Sequence, residues 1–431
     1  MAEDPVFHSF ERVDDTTIRF TMSPTEVTYA NCLRRSVQTE VVTLGFRSDM
    51  TDTGTTTDVK VIKNTTPMSN EMLADRIGLI PIHIPEGVNP ETWEREKVLF
   101  RLHVVNKEEQ VGQVTADMFE CYELRPDDPD AVANGGRVRI ENTKFFTKNP
   151  VTGDTCLIAM LKPFMDGQAP EEIELEAYAT SGKGREHTRF NPSCVCAYKY
   201  TPDTNEEKLN TLWEQWLEQK KVNRKELDTQ PEKKEALRRE FNTLERFRSY
   251  LMDSRGEPYS FDFTIESIGT LSPEDMVYKA LIELSSLASK YSTLDVNDLP
   301  PNVELRPADA NMRGYDIWIQ NEDHTLGSMI QTWILENDTR VDFTGYKIPH
   351  PLRAEMVLRL GVEDTKTFDE ESARAVLAAA AKGCADMFLK MSVEWATFVR
   401  SSGKIIQGAP TLAPVTPWKA HASMKEKTTR R

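Results

Sequence analysis

Thr17-Ile18-Arg19-Phe20-Thr21 alternates apolar and polar positions with a period of two, the pattern of a strand with one buried face. Ser23-Pro24-Thr25-Glu26 follows in the order of an N-cap, a first-turn proline and a capping-box glutamate, which predicts a helix beginning at Pro24. Val27, Ala30, Leu33, Val37 and Val41 then recur every three or four residues, one apolar stripe flanked by Arg34 and Arg35. The helical period stops before Thr43-Leu44-Gly45-Phe46.

From about Arg47 to Arg189 the chain breaks into short alternating runs, such as Leu99 to Val105, separated by polar turns such as Pro126-Asp127-Asp128-Pro129. This predicts a mostly β insert. Cys194 to Tyr200 resumes strand character, and residues 204–255 are dense in charge, with Trp213, Trp216 and Leu217 as apolar points on surface helices. Tyr259 to Ile265 alternates again, and Ser272-Pro273-Glu274-Asp275 repeats the capping signature ahead of a helix with Val277, Ala280, Leu281, Leu284, Leu287, Ala288 and Tyr291 on one side.

Ser292 to Gly314, with Pro300, Pro301 and Pro307, has linker composition. Beyond it the earlier order returns. Tyr315 to Ile319 reads as a strand, Leu326, Met329, Ile330, Trp333 and Ile334 as a helix stripe, and Pro351 to Gly361 as another alternating run. Asp369 to Arg400 then predicts a long helix with Val376, Leu377, Ala380, Cys384, Met387, Phe388, Met391, Trp395 and Phe398 in one stripe. The aperiodic end, 401–431, with three prolines, reads as a disordered tail.

The division that follows is 1–46 and 191–291 as one α+β half, 47–190 as its insert, 292–314 as linker, 315–400 as a second α+β half and 401–431 as tail. Two long amphipathic helices, one ending each half, bury their stripes most simply against each other, with Val277, Leu281, Leu284 and Leu287 facing Val376, Leu377, Met387, Met391 and Trp395. The linker reaches roughly 80 Å when extended, enough for docking in cis, and holds the halves at an effective concentration of about millimolar.

Composition narrows the function. The 431 residues, 39% hydrophobic, have room for two or three cores, and the net charge of −16 disfavours a surface that grips phosphate backbones, so nucleic acid enters only through partners. No apolar run is long enough to span a membrane, and the first residues, Met1-Ala2-Glu3-Asp4, do not read as a signal peptide, so an intracellular, reducing location is expected. Six scattered cysteines form no CxxC pair; Cys194 and Cys196 read as two small buried apolar side chains, with half a metal site as the alternative. Asp323 with His324, or His187 with Cys194, could be imagined as catalytic pairs, but spacing alone places neither within hydrogen-bond reach, and Asp323 reads more simply as a helix cap. No Asp-rich Mg²⁺ motif is present.

Asn321-Glu322-Asp323-His324-Thr325-Leu326-Gly327, followed by Gly345-Tyr346-Lys347-Ile348-Pro349-His350-Pro351-Leu352, closely resembles the signature of subunit 11 of eukaryotic RNA polymerase II and of its archaeal L-type counterpart. Four earlier pieces resemble the partner of that protein, eukaryotic subunit 3 or its archaeal D-type counterpart, both related to the N-terminal domain of bacterial α. They are Ala30-Asn31-Cys32-Leu33-Arg34-Arg35, Asn70 to Pro81, Gly182 to Pro192 and Phe263 to Gly269.

The resemblance implies two α-like dimerisation folds on one chain, acting as a non-catalytic assembly platform that docks the second-largest polymerase subunit and nucleates assembly with the largest and the small subunits, one copy per polymerase. It implies no cofactor on this chain, with Mg²⁺ and zinc on other subunits. Asn31, Arg34 and Arg35 become expected contacts to the second-largest subunit, the alternative being a solvated outer helix face; Arg76 and Gly78 are further candidates, the alternative being support of the insert. The cysteine-rich zinc loop of eukaryotic subunit 3 has no counterpart, since the insert holds only Cys121 and Cys156. The fusion is similar to the arrangement in polymerases of large DNA viruses of eukaryotes, which implies a nucleus, or a virion and cytoplasmic factory, as the site of action. A free adaptor or transcription factor with a borrowed α-like fold is the rival reading.

Overall fold

The computed structural model describes residues 5–409 apart from 52–56, 127–134, 150, 223–229, 296–298, 309–311, 364–367 and 407–408. Two α+β halves and a β-rich insert are built from seventeen described strands and seven described α-helices.

The first half starts with β1 (Phe7–Arg12), β2 (Thr17–Met22), α1 (Val27–Thr39) and β3 (Val42–Gly45). The insert carries β4 (Val59–Asn64), α2 (Asn70–Gly78), β5 (Val98–Val105), β6 (Gly112–Thr115), β7 (Glu120–Leu124), β8 (Arg137–Ile140), β9 (Leu157–Leu161) and β10 (Glu172–Tyr178). The chain returns through β11 (Thr180–Lys183), β12 (Ser193–Tyr200), α3 (Glu206–Gln219), α4 (Pro231–Leu244), β13 (Phe261–Ser267) and α5 (Pro273–Ser289). The second half is β14 (Val303–Pro307), β15 (Gly314–Gln320), α6 (His324–Asn337), β16 (Phe343–Lys347), β17 (Glu355–Gly361) and α7 (Glu370–Ser401).

Each half is an antiparallel four-stranded sheet covered by two helices, with strand order β1-β2-β13-β12 in one and β14-β15-β17-β16 in the other. Alternation explains the sheet faces: on β13, Phe261, Phe263, Ile265 and Ser267 are buried while the intervening residues are half-buried. The insert folds as a five-stranded sheet, β4-β10-β5-β7-β8, around Phe46, Phe100, Phe119, Phe145 and Phe146, with β6 and β9 pairing separately. The helices α3 and α4 form a hairpin with its own small core of Trp213, Trp216, Leu217 and Phe241. The expected α+β class is what the chain adopts, in two sheet-and-helix halves.

Several boundaries differ from the sequence reading. The helix expected at Pro24 starts at Val27, because the Thr25 N–H still bonds the Tyr259 carbonyl at 3.0 Å and Glu26 takes the cap position. The insert, expected to be mostly β, also contains the helix α2, capped by Ser69. Its last stretch leaves the insert sheet: β11 pairs with β3. Cys194 is exposed rather than buried, since a bulge between Ser193 and Val195 breaks the alternation that would have placed it beside Cys196. The expected linker is partly structured, because Val303–Pro307 adds β14 to the second sheet and Leu294 is buried. The start of the expected tail is also ordered: Ile406 is buried and Lys404 reaches Glu274 at 2.9 Å, while residues 410–431 lie outside the described residues.

Candidate functional site

The helices that end the two halves pack on each other. Val277, Leu281, Leu284 and Leu287 of α5, and Val376, Leu377, Met387, Met391 and Trp395 of α7, are all buried. At about 1.5–3 kcal/mol for each large apolar side chain removed from water, this contact is the main non-covalent tie between the halves. Polar groups on both helices are matched across it. The Ser285 hydroxyl donates to the Ala385 carbonyl at 2.8 Å, and the Trp395 indole N–H donates to the Glu274 carbonyl at 3.0 Å. Trp395 enters the aromatic core of the first half, its ring centroid 5.1 Å from Phe7 and 4.7 Å from Phe20.

Glu274, only 1% exposed, anchors this end of the junction, taking hydrogen bonds from Arg12 Nε at 3.1 Å and Lys404 Nζ at 2.9 Å. Burial raises its proton affinity, but Lys404 and Arg12 outweigh burial and hold the carboxyl below the ordinary 4.5. A depressed folded-state value means its contribution is fully present above the ordinary value and is lost as pH falls through the folded one. Glu274→Gln is therefore expected to lower the denaturation midpoint at neutral pH, with the deficit against wild type closing below about pH 4.5, the range of an ordinary carboxyl. A deficit that stays constant with pH refutes this role.

The helix α1 lies against α6. Arg35 Nε donates to Thr325 Oγ1 at 2.9 Å and its Nη2 to Asp323 Oδ2 at 3.2 Å, while Thr332 and Thr28 share a hydrogen bond of 3.0 Å. Arg185, in the turn after β11, stands 3.5 Å from the same Asp323 oxygen. Asp323 also caps α6 through the Thr325 N–H at 2.8 Å. Burial pushes its carboxyl up, and the Thr325 N–H with Arg185 and Arg35 more than offset this, so the group is held below its ordinary value. Glu322, beside it, is buried and accepts from the Tyr291 hydroxyl at 2.8 Å, tying the end of α5 to the second half.

Arg35 is thus paired across the contact between α1 and α6. Arg34, its neighbour, differs. Its guanidinium is positioned by the neutral side chains of Asn31 and Gln38, each at 3.1 Å, and among the described residues no carboxylate pairs with it. Asn31 and Arg34 therefore present a fixed, uncompensated positive charge on the half-buried side of α1. Arg76 bonds the carbonyls of Ile158 and Leu157 at 2.6 and 3.1 Å, so it ties α2 to β9. Gly78 is buried where a Cβ would stand 2.8 Å from Ser48 Oγ. These contacts lie in the insert.

The two separated motifs of the second half meet. Gly327 lies under the Tyr346 ring, where a Cβ would come within 2.5 Å of it, and His324 Nδ1 is 3.3 Å from the Tyr346 hydroxyl. Leu326 and Thr325 are buried, Gly345 lies on β16, and Pro349, His350 and Pro351 form an exposed turn between β16 and β17. The imagined catalytic pairs are otherwise engaged: Asp323 caps α6, and His187 Nδ1 accepts from the Arg189 N–H at 3.1 Å. Burial pushes the Cys32, Cys121 and Cys196 thiols up to about 12, so these stay protonated at neutral pH. His103, Glu172 and Glu174 cluster on the insert sheet, but Lys63 at 2.6 Å and Arg101 at 2.9 Å already pair with the two carboxylates.

Two sheet-and-helix units that bury their helices against each other define a dimerisation-type protein, here with both partners on one chain. The sequence profile of the RNA polymerase Rpb3/Rpb11 dimerisation domain matches residues 19–288 and, in a second form, residues 315–394. The chain belongs to this family. It is 29% identical over 188 residues to DNA-directed RNA polymerase subunit Rpo3 of Methanothermobacter thermautotrophicus, covering 44% of this chain and 59% of that one. With DNA-directed RNA polymerase II subunit rpb3 of Dictyostelium discoideum it shares 25% over 301 residues, 65% of this chain and 91% of the other. With human DNA-directed RNA polymerases I and III subunit RPAC1 it shares 26% over 298 residues, 62% and 78% of the two chains. The match thus spans under two thirds of the archaeal relative and most of the eukaryotic ones.

Proposed function

We propose that this chain is a non-catalytic assembly platform of a multisubunit DNA-directed RNA polymerase, with a subunit 3-like half and a subunit 11-like half fused in sequence. The observation that carries the reading is the pairing of two family-matched units in cis through α5 and α7. The platform docks the second-largest subunit through the Asn31–Arg34 face of α1, and nucleates assembly with the largest and small subunits. Nucleic acid is reached through those partners, which also carry the Mg²⁺ and zinc. The fused order supports a viral source, with action in nucleus, virion or cytoplasmic factory following the polymerase.

Native purification of the tagged chain is expected to bring down both large subunits; a chain that arrives without them is a free adaptor instead. Arg34→Glu is expected to weaken recovery of the second-largest subunit at least tenfold, about 1.4 kcal/mol, with an unchanged melting temperature. Loss of a desolvated interface arginine commonly has this size or more. Wild-type recovery by Arg34→Glu removes that face from the docking surface.

A further inference from the structure

The contact between α1 and α6 has a pseudo-two-fold layout. Arg35 lies nine residues beyond the α1 cap Glu26 (35 − 26 = 9), and Thr332 nine beyond the α6 cap Asp323 (332 − 323 = 9). Each reaches the residue two beyond the other helix's cap: Arg35 bonds Thr325 at 2.9 Å, and Thr332 bonds Thr28 at 3.0 Å. The geometry is repeated but the chemistry is not. One end carries a cation against a carboxylate across the contact, Arg35 to Asp323 at 3.2 Å, with Arg185 at 3.5 Å behind it, whereas at the other end the crossing pair is two neutral hydroxyls and the cap carboxylate Glu26 is held from its own half by Arg255 at 2.8 Å.

We propose that the Arg35–Asp323–Arg185 cluster is the selectivity element of the pairing, which makes the second half accept a first-half partner and refuse a second copy of itself. Apolar stripes attract without direction, so the buried face of α7 alone does not distinguish partners. Specificity needs an arrangement that penalises the wrong partner. If two second halves paired through this face, each Asp323 would meet Thr332 of the other copy, and neither Arg35 nor Arg185 would be present. Two half-buried carboxylates would then lack a counter-charge. The device is one-sided, because Arg35 in a pair of first halves would meet a cap carboxylate, Glu26, although Arg255 already holds that group at 2.8 Å. This proposal concerns the pairing within the chain and stands apart from docking on the large subunits.

The test is a double-mutant cycle in the intact chain, with a partner-exchange assay beside it. Asp323→Asn keeps side-chain length and the capping acceptor, and Arg35→Gln removes the charge while keeping a shorter polar side chain. Each single change is expected to lower the folding equilibrium constant about tenfold, 1.4 kcal/mol, and the double change little further, as coupled partners require. Additive losses, or none, overturn the proposal. For exchange, a protease site in the linker is cut after folding, and two differently tagged samples are mixed. Wild type is expected to yield no complex holding both second-half tags, and Asp323→Asn at least tenfold more than the wild-type background. Self-paired second halves in wild type, or equal yields from wild type and Asp323→Asn, overturn it.

Discussion

Trp395→Ala is expected to lower the stability of the chain by about 3–5 kcal/mol, the range for removing a fully buried large aromatic side chain. Trp395 belongs to the second half by sequence, yet its indole is fully buried among first-half groups: Phe7, Phe20 and the Glu274 carbonyl. Truncation would open a cavity between the halves and leave that carbonyl without its donor. Both the denaturation midpoint and the survival of the two-piece complex after linker cleavage should fall together. Trp395→Phe separates the two causes, since it keeps much of the ring packing and loses the N–H, at a cost of about 1–3 kcal/mol for an unpaired buried acceptor. If Trp395→Ala unfolds at the wild-type midpoint, α7 does not hold the halves together as described.

Gly184→Ala comes next, at about 1–3 kcal/mol, the typical range for forcing an extra methyl into a packed site. A Cβ at this position would stand 2.0 Å from the Gln38 carbonyl oxygen, and the obstacle is backbone. α1 cannot easily retreat, because Ser36 hydrogen-bonds the Ala280 carbonyl on its other side. The turn itself must lift, and it carries Lys183, which pairs with Glu283, and Arg185, which pairs with Glu40 and approaches Asp323. Loss of stability should therefore come with weaker pairing of the halves, read as faster exchange of the cut complex. An unchanged midpoint would mean that the turn does not need its close approach to α1.

Much of the fold was legible because its elements announce themselves locally. The helix read from Asp369 to Arg400 agrees with the observed α7 to within a residue, and the strand alternation of Phe261, Phe263 and Ile265 identifies the buried face of β13. The site was less legible. Arg34 and Arg35 are adjacent and chemically identical, and the sequence treats them alike. On a helix they point about 100° apart, so Arg34 meets Asn31 and Gln38 one turn away on its own helix, and only the position of α6 decides that Arg35 meets Asp323.

Sequence alone determined which face of the main helices and of β13 is buried, that a second α+β half follows a first one interrupted by an insert, and which family the motifs resemble. These follow from helix and strand periods and from residues close in the chain. Tertiary structure decided what each buried face meets: the Tyr259 carbonyl that delays α1, the bulge that turns out Cys194, the edge strand within the linker, and the partner of Arg35. Those outcomes depend on groups up to hundreds of residues apart, whose proximity no local period encodes.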